Sequence, residues 1–354
     1  MNGALIMNVD NIKFGLDTFG DVAIDPKTGE RISYEESIRN IVEEGKLAEE
    51  VGVDILALGE HHRKEYSISS PEIILAALAS VTSKITLGTG VTVLSSDDPI
   101  RLYQRFATLD AISNGRSQVM LGRGSFTESY GLFGYDLQDY DGLFEEKIAL
   151  FDELIKGGPV TWEGKHTPTL DQVDVYPKMT ERKMDVHIGV GGTPESVVRA
   201  ARYGYPLMLA IIGGQPTRFK PYIDLYHKAA EQFGQPIHPV GLHSPAVIAD
   251  TDEEARELAL KYLVPAMNQT GSERGWAPMS KERFDQEVDT GSYYIGSPET
   301  VAQKMAGVIK TMGIERFDVI YGMGGQTQAD RFKTIELYGT KVIPRVKELL
   351  KEGN

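Results

Sequence analysis

The chain has 354 residues, 41% of them hydrophobic and 25% charged, an ordinary globular composition with enough apolar mass for a large core. Its 51 acidic residues outweigh 37 basic ones, and a net charge of −14 argues against general affinity for nucleic acid or anionic membrane; an anionic ligand has to be caught locally. With no cysteine, disulfides, thiolate metal sites and cysteine nucleophiles are excluded.

In chain order, the apolar run at 3–7 is too short for a membrane span and lacks a basic lead, so a cytoplasmic chain is expected. Short β-rich apolar runs then follow at 14–19, 55–60, 85–94, 118–122, 186–190, 206–212, 240–249 and 317–321. Between them lie amphipathic stretches with marked helix starts: Ser33 with Glu36, Ser70 before Pro71, Thr193 before Pro194, Thr251 with Glu254, and Ser297 before Pro298. Eight strands alternating with helices predict an α/β protein built as a (β/α)8 TIM barrel, one domain over 1–354. Two segments exceed ordinary loop length. The insertion after strand 4, at 125–185, is expected to hold a helix at 142–156 and a hairpin within 162–176. The insertion after strand 7, at 262–295, contains the polar, glycine-bearing run from Asn268 to Trp276 and is expected to be a lid loop over the catalytic face.

Barrel active sites form at the carboxyl ends of the strands. The fifth strand ends in Gly191-Gly192-Thr193-Pro194-Glu195-Ser196, where glycines admit close backbone N–H groups at a helix start and two hydroxyls add donors, a pattern that suits a phosphate. Arg123, after the fourth strand, is the candidate counter-charge, because a guanidinium stays charged and its fork matches phosphate. The same residues also fit a capped helix beside a rim arginine in a salt bridge. The second strand ends in Glu60-His61-His62; alternation sends the two histidines opposite ways, and the small residues Ala57 and Gly59 share the face of His61, which is therefore expected to point inward. A histidine satisfied by backbone hydrogen bonds is the competing reading. No HExxH or His-x-His pair supports a metal, and GxSxG, GxxxxGK[ST] and a strand-1 GxGxxG are all missing. The glycines of strands 3 and 4 leave room for a flat ligand at the barrel mouth. Phe126, Tyr130, Phe133 and Trp276 are candidates for an apolar pocket wall.

At these residues the sequence resembles the bacterial luciferase-like flavin monooxygenases. Phe14-Gly-Leu-Asp-Thr-Phe, Leu58-Gly-Glu-His-His, the block from Leu87-Gly-Thr-Gly to Gly115-Arg, Leu121-Gly-Arg-Gly, Gly-Gly-Thr-Pro-Glu-Ser and Ile295-Gly-Ser-Pro-Glu-Thr fall in family order. The resemblance implies FMN bound with its phosphate at Arg123, Thr193 and Ser196, close backbone at Gly191 and Gly192, and the ring against the Gly90–Val91 peptide, as a non-proline cis bond. It places Glu60 and His61 at the reacting oxygen species, with His61 as acid/base. It further implies reduced FMN delivered by a separate NAD(P)H-dependent flavin reductase, reaction with O2 through a C4a-hydroperoxyflavin, an organic substrate, and a homodimer. Gly122 stands where light-emitting members carry a larger side chain, so light emission is not expected. Two other readings fit the same barrel: F420-dependent hydride transfer, and flavin binding without catalysis.

Overall fold

In the computed structural model, which describes residues 8–352, eight parallel strands close into a ring. They are β1 (Lys13–Thr18), β2 (Ile55–Leu58), β3 (Thr86–Thr89), β4 (Ser117–Gly122), β5 (Val186–Val190), β6 (Leu207–Ala210), β7 (Gly241–Ile248) and β8 (Arg316–Ile320). Each pairs with its neighbour in sequence, and β8 closes on β1 with Phe317 beside Phe14. The predicted barrel and all eight strand positions therefore hold, and the 3–7 run lies outside the described residues. Among the described residues no helix is long and apolar enough to cross a membrane.

Alternation divides the strands into two faces. Phe14, Leu16, Leu56, Leu58, Val119, Leu121, Ile188, Leu209, Phe317 and Val319 pack outward against the helices and make the hydrophobic core. The inward face was not foreseen. It carries Arg316, which makes two hydrogen bonds to Asp318 (2.9 and 2.7 Å) and one to Gln118 (2.6 Å); Gln118 continues to Asp185 (2.8 Å), which meets His187 at 3.0 Å. Gly15 is what lets this group fit, since a Cβ there would lie 2.3 Å from the Asp318 carboxylate.

Helices start after all five predicted cap residues, and the Ser33, Thr251 and Ser297 hydroxyls accept the backbone N–H of Glu36, Glu254 and Thr300. Ser70 and Thr193, each followed by proline at the first helical position, make no such side-chain bond, which corrects the expectation there. The first insertion contains the expected helix (Tyr140–Ile155) and an antiparallel hairpin pairing Val160–Trp162 with Leu170–Val173. The second corrects the loop expectation. Asn268 to Glu273 complete a helix, Val264–Glu273, and a further helix spans Lys281–Asp289. Pro265, with no N–H to donate, follows a wide turn in which the Val264 N–H reaches Ala259 O, so the helix before it carries on through the proline.

Glu44, on the helix Tyr34–Glu50, is fully buried beside Arg331 and Tyr321. Burial outweighs the pull of Arg331 and pushes its pKa up to about 7. A carboxyl raised on folding stabilises the fold below its unfolded pKa and loses that contribution as pH climbs to the folded value. Glu44→Gln should thus match the parent at pH 4.5 and exceed it by about 3 kcal/mol at pH 8, a melting-temperature gain of about 4 °C. Thermal melts across that range test this; a gain independent of pH would show that Glu44 is not ionising inside.

Candidate active site

The strand ends and the second insertion enclose a cavity of about 1030 Å³. Two strand ends converge on one side of it. Arg123 leaves β4 and places Nη2 3.1 Å from the Ser196 hydroxyl, at the start of the helix Pro194–Tyr203 after β5; the Thr193 hydroxyl donates to the same oxygen at 2.7 Å. Gly192 holds φ +119, a left-handed geometry suited to glycine, and a Cβ on Gly191 would enter open space. The Tyr222 hydroxyl donates to Gly192 O at 2.7 Å and fixes the bend. Arg199, one turn along the helix, was not foreseen: its Nη1 reaches the Ser196 hydroxyl at 3.3 Å, and its Nε is ion-paired with Glu145. Its spacing of three from Ser196 was the available signal. The Asp141 carboxylate also reaches Arg123, at 2.9 Å, from an 81% exposed position. Arg123, the Thr193 and Ser196 hydroxyls and the helix N-terminus thus line the cavity as a cradle suited to an anion, with Arg199 behind Ser196.

The Gly90–Val91 peptide is cis and lines the cavity beside this cradle. Val91 fits there because Gly122 and Gly189 flank it; a Cβ on either would lie 2.7 or 2.6 Å from its side chain. A larger residue at 122 would displace Val91, a physical reason for the smallest residue at that position.

His61 and His62 part as alternation requires. His61 lines the cavity, stacked on Phe19 with centroids 4.2 Å apart and edge-on to Tyr66 (4.7 Å) and Phe126 (4.6 Å). Burial, with Arg63 adding repulsion, pushes its pKa down to about 3, so the imidazole is neutral at physiological pH. His62 turns to Glu60, with Nε2 2.8 Å from Oε2. The other Glu60 oxygen accepts the Val93 N–H at 2.7 Å, so both oxygens are engaged and the carboxylate ties the end of β2 to the segment after the cis peptide.

The aromatic candidates separate. Phe126 and Trp276 line the cavity; Tyr130 lies buried behind it, its hydroxyl donating to Arg123 O; and Phe133 is exposed against His62. The helical roof is tied down by an Arg63–Glu273 ion pair, a Gln269–Glu65 hydrogen bond of 2.8 Å and an Arg274–Ser125 O bond of 3.0 Å.

Residues 12–316 match the family model for luciferase-like monooxygenases, and the chain belongs to that family. The alkanal monooxygenase alpha chain of Photorhabdus luminescens is 28% identical over 245 residues, covering 66% of this chain and 65% of that relative, so the match spans just under two thirds of its length. Solved structures share the fold at lower identity. Monooxygenase RslO1 from Streptomyces bottropensis superposes with TM-score 0.81 at 22% identity, covering 94% of this chain and 99% of the other. The FMN complex of the oxygenating constituent of 3,6-diketocamphane monooxygenase from Pseudomonas putida gives 0.74 at 20%, covering 94% and 98%. The F420-dependent tetrahydromethanopterin reductase of Methanopyrus kandleri gives 0.68 at 20%, covering 94% and 99%. The fold of this chain is thus shared both with a protein solved with FMN and with an F420-dependent reductase.

Proposed function

We propose that this protein is a flavin-dependent monooxygenase that takes reduced FMN from a separate NAD(P)H-dependent reductase and uses O2 to oxidise a small organic substrate. The observation that carries this reading is the convergence of Arg123, Thr193 and Ser196, with Arg199 behind Ser196, on one anion cradle beside an apolar cavity. The residues fit FMN: the cradle matches a terminal phosphate, the Gly191 side is open, and the volume exceeds the need of one ligand, leaving space for a substrate. Bound reduced FMN supplies the electrons that activate O2.

In this reading the chain binds, orients and excludes water. The cradle holds the phosphate and the Gly90–Val91 peptide supports the ring. Phe19, Tyr66, Phe126 and the helical roof shield the reacting face from water, which otherwise dissipates oxygen-derived intermediates. His61, uncharged, donates from one ring nitrogen and accepts at the other, the form suited to proton transfer without a buried charge. Glu60 holds the segment that follows the ring platform.

The direct test is titration with FMN and with F420 followed by fluorescence quenching; preference for F420 would replace this reading with hydride transfer. With FMN, a reductase and NADH supplied, His61→Ala should slow product formation on the order of 100-fold while O2 consumption continues. Full coupling in the variant would remove His61 from the chemistry, and an inert parent would favour a flavin-binding protein without catalysis. We also propose a homodimer through the outer helices. Ile73, 73% exposed on Pro71–Val81, and Ile112, 51% exposed on the neighbouring Pro99–Ser113, support it, and sedimentation at one protomer mass would exclude it.

A further inference from the structure

Beneath the cis peptide lies a pair of titratable groups that the reading above does not use. His243, inward on β7, lines the cavity floor with Met208 and Ile320. Its Nδ1 is 2.8 Å from Asp17 Oδ2, and Asp17, on β1, is 1% exposed. The other Asp17 oxygen is buried with no hydrogen-bond partner among the described residues. The carboxylate sits directly under the ring platform, since a Cβ on Gly90 would lie 3.7 Å from Oδ2.

Charge balance fixes how many protons the pair holds, and exposure indicates where they go. Around the pair stand Asp318 and Arg316 from β8, with uncharged Ala57, Gly90, Met208 and Ala210 from the other strands facing this part of the interior. Arg316 spends two of its donors on Asp318 and makes no hydrogen bond to Asp17, so its pull offsets only part of the cost of a charge there. An unpaired buried carboxylate is strongly disfavoured, and both burial and Asp318 push Asp17 toward its protonated form. The Asp17–His243 pair is then neutral as a whole and holds two protons. One lies between Oδ2 and Nδ1. The alternative site for the other proton is Asp17 Oδ1, on which Asp318 pulls, but that atom is buried without a hydrogen-bond partner, whereas Nε2 faces the cavity, where a donor can be hydrogen-bonded. The proton is therefore assigned to Nε2, which has no hydrogen-bond partner among the described residues.

We propose that His243, positioned by Asp17, presents Nε2–H into the cavity as a hydrogen-bond donor for a carbonyl-type oxygen of the ligand. That acceptor is either a ring carbonyl of the flavin or the carbonyl of the organic substrate; this choice rests on the flavin reading, whereas the protonation state of the ring does not.

Imidazole ¹⁵N spectra of the ligand-free protein, with His243→Gln identifying the signal, should show Nε2 protonated from pH 6 to 8, and Asp17→Leu should shift that signal. A bare Nε2 overturns the proposal, with no dependence on cofactor. The ligand is then read in two titrations of parent, His243→Leu and His243→Gln, each checked for native circular dichroism. Oxidised FMN alone is the first probe and a straight-chain alkanal on FMN-loaded protein the second. Loss of about tenfold in FMN affinity in the leucine variant, partly restored by glutamine, identifies the flavin carbonyl. Unchanged FMN binding with about tenfold weaker alkanal binding identifies the substrate carbonyl. Unchanged affinity for both overturns the proposal. A parent that binds no FMN removes the proposed function instead and leaves the ¹⁵N result to stand.

Discussion

Replacing Arg123 with alanine should weaken FMN binding by roughly ten- to a hundredfold, which corresponds to about 1.5–3 kcal/mol for one charge-assisted, partly buried contact. The side chain is 23% exposed, with its guanidinium over the Tyr140 ring and Nη2 on the Ser196 hydroxyl, so its fork is already aimed into the cradle. Asp141 is the local competitor. Because it is 81% exposed, its pairing with Arg123 is worth at most about 1 kcal/mol, and a phosphate held by further donors should displace it. Asp141→Asn should therefore leave FMN affinity unchanged or slightly improved. Arg123→Lys should recover only part of the loss, since it restores charge without the planar fork. Fluorescence titrations at fixed ionic strength measure all three. If Arg123→Ala binds FMN as the parent does, the cradle is not the phosphate site.

What was readable in the chain depends on how locally it was encoded. Strand positions rest on period-two apolar runs, and the helix starts on side chains three residues from their partners, so both follow from nearest neighbours in sequence. Arg123 and Ser196 could be paired because they end strands adjacent in order, and a parallel barrel puts such ends side by side. The interior was illegible for the opposite reason. Asp17, Gln118, His187, His243, Arg316 and Asp318 occupy inward positions of five strands, and in sequence each reads as the solvent-facing member of an alternating strand. Only ring closure brings Asp318 of β8 against Gly15 of β1. The roof failed differently: glycines and polar residues around 268–276 imitate a loop, while Val264 and Pro265 continue an existing helix into it.

Arg316→Met should cost about 3–5 kcal/mol of stability near pH 7.5, a fall of roughly 4–7 °C in melting temperature, because it leaves buried carboxylates without their cation. Arg316 is enclosed inside the barrel and bonds Asp318 and Gln118, the latter joined to Asp185. In the parent, Arg316 holds Asp318 below the usual carboxylate range against its burial, while Asp17, lacking such a partner, is raised. Asp318 therefore adds stability that is present above its unfolded pKa and is lost as pH falls through the folded value. Without Arg316 the sign reverses: Asp318 becomes a second buried acid that must take up a proton to fold, so the variant weakens as pH rises and nears the parent toward pH 4. Thermal melts from pH 4 to 8 should show the gap widening with pH. Adding Asp318→Asn to Arg316→Met removes the stranded charge and should restore part of the lost stability, a non-additive recovery expected of groups in direct contact. Equal stability of the single variant and the parent at pH 7.5 would mean that water reaches the barrel interior, and with it the shared proton assigned to Asp17 and His243 would lose its physical basis.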